Sequence, residues 1–129
     1  MPLPITSLYA ALTALVFLAL SWRVIRYRRA NVISLGDSGD KNLLKRMRAQ
    51  ANCAEYAPLA LILMMLGELN GAPPVALHTM GAAFVAGRVL HAYGFASTPQ
   101  KIILRQAGMA LTLAMIAAAA LGILAHALA

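Results

Sequence analysis

RAQANCAEYAPLALILMML, residues 48–66, opens on polar groups and runs on into an apolar stretch of the kind that crosses a bilayer. Arg48, Gln50, Asn52 and Glu55 therefore stand at the mouth of a membrane segment, where burial without partners is costly. Something must offset that cost, and the rest of the chain narrows what it is.

The chain has 129 residues, 61% of them hydrophobic and 12% charged, with a mean hydropathy of +0.74, which argues for a bilayer and against a soluble domain. Segments at about 5–22, 49–69, 75–95 and 106–128 approach the roughly 20 apolar residues a spanning helix needs. With their flanks, helices are expected over about 5–22, 42–69, 75–95 and 105–128, so that residues 1–129 form a single all-α domain, an integral membrane four-helix bundle. The first segment has no basic residue before it and its basic cluster after it, which suits a retained helix rather than a cleaved leader. One cysteine, Cys53, excludes an internal disulfide and reads as a small apolar filler. No spacing of Cys, His or carboxylates supports a metal site.

The net charge of +7 is unevenly placed. Arg23, Arg26, Arg28, Arg29, Lys41, Lys45, Arg46 and Arg48 lie between the first two segments, and Lys101 and Arg105 between the last two. The positive-inside rule then puts both termini outside and both basic loops in the cytoplasm. The basic cluster reads as topology plus attraction to anionic membrane lipids, with no nucleic acid as partner. Trp22 and Tyr27 fit an interfacial anchor, Asp40 or Ser38 a cap for the second helix, and Pro73 and Pro74 the opening of the third. A second helix from Lys41 to Leu69 would be about 42 Å long, more than a hydrocarbon core of about 30 Å, so its first turns project into the cytoplasm. Pro58 predicts a kink beside Glu55. Ala118 and Gly122 have the small-xxx-small spacing that permits close backbone contact. Glu68 and His78, near the outer ends of their helices, suit an interfacial or subunit-contact role.

At 100° per residue, Arg48, Asn52 and Glu55 fall on one helical face with Tyr56 beside it. Arg88 and His91, at i and i+3 of the third helix, lie near the same cytoplasmic end, and Arg105 starts the fourth at a similar depth. Two readings stay open. Glu55 pairs with Arg48 or Arg88 across helices and merely fixes subunit register, or the set binds a ligand. One carboxylate facing three arginines favours an anionic guest. Carboxylates for the arginine forks, an amine for Glu55 and amides for Asn52 and Gln50 describe a small peptide. If that ligand carries a thiol, a neighbouring guanidinium favours the thiolate; lowering a thiol pKa from about 8.5 to about 6.5 takes about 2.7 kcal/mol. Such a pocket opens sideways to lipid, where a lipophilic second substrate dissolves.

RMRAQANCAEYAPLALILMMLGELNG resembles the second-helix signature of the MAPEG family, the membrane-associated proteins of eicosanoid and glutathione metabolism, and GRVLHAYGF and LRQAG resemble its third and fourth helices. The similarity covers nearly the whole chain, and the GDSGDKNLLKRMRAQ approach looks most like short bacterial members. The resemblance implies a homotrimer in the bacterial inner membrane, with glutathione as co-substrate between adjacent subunits on the cytoplasmic side. By matching position, Arg48, Asn52, Glu55 and Tyr56 would hold glutathione, with Gln50 nearby, Arg88 and His91 from the third helix, and Arg28 from the end of the first. Arg105 would be the catalytic residue that stabilises the thiolate, with no metal. Phe95 departs from the pattern, because many catalytic members carry tyrosine seven residues after the position of Arg88. The implied activity is a glutathione transferase that adds the thiol to a lipophilic electrophile or reduces a lipid hydroperoxide. A noncatalytic lipid- or glutathione-binding protein of the same fold is the alternative, and a purely structural trimer a third.

Overall fold

The computed structural model describes residues 2–129, and these form four helices: α1 (Pro4–Asn31), α2 (Lys41–Leu69), α3 (Pro74–Ala96) and α4 (Ile102–Leu128). α1 continues beyond the expected end at Trp22 to Asn31, because the basic stretch after Trp22 contains good helix formers and no breaker. α4 starts at Ile102, so Arg105 lies one turn inside it. α2 is unbroken through Pro58.

The loop between α1 and α2 is tied at both ends. The backbone N–H of Ile33 donates to Arg28 O at 3.0 Å, and the Arg28 guanidinium donates to Gly36 O at 2.7 Å. Asp40, not Ser38, caps α2: its Oδ1 accepts from the N–H of Asn42 at 2.9 Å and of Leu43 at 3.1 Å. Tyr27 Oη donates to Asp40 Oδ2 at 2.7 Å, joining α1 to the start of α2. The Tyr27 hydroxyl, then the Leu43 amide, hold the Asp40 carboxyl below its ordinary value.

α3 lies against all three other helices. Its buried face includes Leu77, Phe84, Arg88, His91 and Ala92. α1, α2 and α4 are each long and apolar enough to cross a membrane, and the buried Arg88 and His91 lie on α3. Two clusters line it, one of Tyr9, Ala60, Met64, Phe84 and Met115, the other of Leu20, Ala49, Cys53, Ala92 and Ala96. Cys53 is thus a packed filler, 2% exposed.

Lipid is as apolar as a side-chain core, so backbone proximity and polar contacts must hold such helices together. Glycines supply the proximity between α3 and α4. A Cβ on Gly94 would lie 2.5 Å from Arg105 N and 2.6 Å from Lys101 O, and one on Gly108 would collide with the backbone of His91 and Gly87. Within the chain the Ala118 and Gly122 spacing makes no such contact: Gly122 faces open space, and with Ala118 it lines an apolar cleft beside the turn between α2 and α3. Glu68 and His78 both make polar contacts within the chain. The Glu68 carboxylate accepts from Ile5 N at 3.0 Å and Thr6 N at 2.7 Å, capping α1, and His78 Nδ1 shares a 3.1 Å hydrogen bond with Tyr9 Oη.

Candidate functional site

The close approach of α3 and α4 sets Arg88 against α4 at Gly108, Met109 and Thr112. Arg88 is 1% exposed, the largest fully buried side chain. Its Nε donates to Thr112 Oγ1 at 3.0 Å and its Nη2 to the same oxygen at 2.7 Å, while Thr112 Oγ1 donates to Gly108 O at 3.0 Å. Nη2 also lies 3.6 Å from Met109 Sδ, and Nη1 donates to Asn52 Oδ1 on α2. Tyr56 completes the enclosure, its ring centroid 5.5 Å from the guanidinium carbon. Among the described residues no carboxylate lies within ion-pair distance of Arg88. The guanidinium is therefore oriented by neutral acceptors and keeps its charge unpaired.

Arg48 and Glu55 stand outside this enclosure. Arg48 Nη2 and Glu55 Oε1 are 3.7 Å apart along α2, with side chains 50% and 54% exposed in the single chain. The two residues are two turns apart on one helix, and within the chain Arg88 takes no part in the pair.

At the C-terminal end of α3, Phe95 is the hub. The Arg105 guanidinium carbon sits 4.2 Å from the Phe95 ring centroid, and the buried His91 ring packs on the other side of the sequence turn with centroids 5.6 Å apart. A ring without a hydroxyl thus still fixes an arginine by its face. Tyr93 points elsewhere: Lys101 Nζ donates to its hydroxyl at 3.1 Å.

Asn52, Tyr56 and Arg88 are therefore gathered; Arg48 pairs with Glu55, and Arg105 and His91 meet at Phe95. Two predicted residues are engaged apart from the group. Gln50 Nε2 donates to Ser21 Oγ at 3.0 Å, bridging α2 to α1, and Arg28 is taken up by the loop between α1 and α2. Thr112 and Met109 were not foreseen. A threonine in an alanine-rich helix was the available signal, but only the register of α3 against α4 shows what it faces.

Residues 6–125 match the model of the MAPEG family. The inner membrane protein YecN of Escherichia coli strain K12 is 38% identical over 91 residues, 70% of each chain, and the protein of that name from Escherichia coli O6:H1 gives the same figures. With the apolar helices, the buried arginine and the polar stripe now in place, these matches mean that the chain is an all-α membrane protein belonging to the MAPEG family.

Proposed function

We propose that this chain is a membrane-bound glutathione transferase whose site lies at the cytoplasmic end of the bundle. The observation that carries the reading is Arg88: a buried guanidinium with neutral acceptors and no carboxylate offers its charge to an anionic guest. Glutathione supplies a carboxylate for the half-exposed Arg48, an amine for Glu55 and amides for Asn52, while the enclosed Arg88 adds its positive field from behind Asn52 and Tyr56. Family membership supports glutathione over other small anionic peptides.

In this reading Arg105, set on the face of Phe95, stabilises the thiolate. The thiol proton leaves to water, the sulfur bonds to the electrophilic carbon of a lipophilic substrate arriving from the bilayer, and the adduct takes a proton back. The transition state gains because its charge develops where the guanidinium is already fixed.

The half-exposed Arg48 and Glu55 support a homotrimer. Left facing hydrocarbon the pair would be costly, and a second copy of the chain would cover it. Charge asymmetry supports both termini outside and the site inside, in the inner membrane that the name of the relatives specifies. A noncatalytic lipid- or glutathione-binding protein is the second reading, and Phe95 in place of tyrosine favours it.

The test is glutathione titration of the detergent-solubilised protein, followed by thiolate absorbance. Saturable thiolate that Arg105→Ala removes and Arg48→Ala weakens supports the transferase. Glutathione binding with no thiolate moves the assignment to the binding protein.

A further inference from the structure

The basic stretch after Trp22 is more than a diffuse charge. Arg23, Arg26, Tyr27 and Ala30 of α1, with Arg46 of α2, line one cleft of about 350 Å³ where the two helices leave the apolar part of the bundle. Three guanidinium groups line it and no carboxylate does. Arg46 is placed by its neighbours: its Nη1 donates to Asn42 O at 3.0 Å and its guanidinium carbon lies 4.4 Å from the Tyr27 ring centroid. Tyr27 is itself held by Asp40 at the edge of the cleft, and that carboxylate is already engaged by the Tyr27 hydroxyl and the first amides of α2. Arg23 and Arg26 make no hydrogen bond or ion pair among the described residues. Two free forks and one pre-placed fork converge on a single concavity.

The cleft also has a definite depth. Trp22, 55% exposed, marks the interface one residue before Arg23. Leu15 and Leu18, 63% and 61% exposed, continue the same helical face upward from Trp22 and Arg26 at spacings of three and four residues. An apolar track thus ends at a cup of arginines at headgroup level. None of Arg23, Arg26 and Arg46 belongs to the glutathione site proposed above, and Arg28, on the other side of α1, is occupied by the loop.

We infer that Arg23, Arg26 and Arg46 form a discrete site for a phosphate group, presented by an anionic phospholipid whose chains lie along the Leu15 and Leu18 face of α1. Arginine forks bind phosphate oxygens two at a time, which lysine cannot do.

The test uses the full chain in detergent and native mass spectrometry, with phosphatidic acid and phosphatidylcholine as probes. Replacing Arg23, Arg26 and Arg46 together by lysine keeps the net charge, and replacing Arg29, Lys41 and Lys45 by glutamine removes three charges elsewhere. The expected result is retention of phosphatidic acid over phosphatidylcholine, at least tenfold weaker in the lysine variant and changed less than threefold in the glutamine variant. Inorganic phosphate is added as a competitor. Displacement of the lipid at millimolar phosphate assigns the site to soluble phosphate esters, and failure to displace it assigns it to the lipid. Equal retention in wild type and lysine variant, or a larger loss in the glutamine variant, overturns the inference and leaves only general attraction to anionic surfaces.

Discussion

Thr112→Val isolates the support of Arg88 from its charge. Valine matches threonine in shape but removes the oxygen that accepts from Nε at 3.0 Å and Nη2 at 2.7 Å in a fully buried setting. Hydrogen bonds to a charged group are worth about 1.5–3 kcal/mol each, and these two share one acceptor, so the loss is about 3 kcal/mol. The added methyl gives back about 1 kcal/mol of apolar contact. The net cost is about 2 kcal/mol, a fall of roughly 5–10 °C in unfolding temperature for a chain of this size. Thr112→Ser keeps the oxygen, loses one methyl, and should cost about 1 kcal/mol. Thermal unfolding in one detergent, read by circular dichroism, ranks the three proteins. Glutathione titration should show weaker binding for the valine variant than for serine, because a guanidinium with two loose donors is no longer aimed. A valine variant as stable as the wild type, with unchanged glutathione affinity, would refute the claim that Thr112 positions Arg88.

Gly108→Ala should be worse than any deletion in the bundle, costing about 3 kcal/mol or more, since the new Cβ meets the His91 and Gly87 backbone and forces α3 from α4; denaturation midpoints check it, with Gly122→Ala, which enters open space, as the neutral control. Glu68→Leu removes the cap on the first turn of α1 and should cost about 1–2 kcal/mol in the same assay. The Asp40 carboxyl is held low when folded, so its contribution is fully present above its unfolded value and lost as pH falls through the folded one. Unfolding temperature should therefore drop below about pH 4, and Tyr27→Phe, which removes the main cause, should flatten that drop.

The elements whose causes are local were legible in the sequence. A cap at Asp40 or Ser38 could be read from the turn formers just before the helix, and the apolar lengths located the helices. The stripe of Arg48, Asn52 and Glu55 was legible as a helical face, because 100° per residue is fixed by the backbone. What was not legible depends on pairing between helices. Glu68 caps a helix more than 60 residues away. Thr112 matters only because Gly87 and Gly108 bring α3 onto α4, and the similar small-residue spacing at Ala118 and Gly122 makes no such contact. The burial of Arg88 likewise depends on α3 lying against all three other helices, which no local pattern in α3 announces.

The claim that this unpaired guanidinium serves an anionic peptide is tested most directly by calorimetric titration of the wild-type protein with glutathione and with its diester, in which both carboxylates are blocked. The account predicts saturable heat with glutathione, one site per chain, and at least a tenfold weaker response to the diester. Equal binding of the two, or no heat from either, would contradict it.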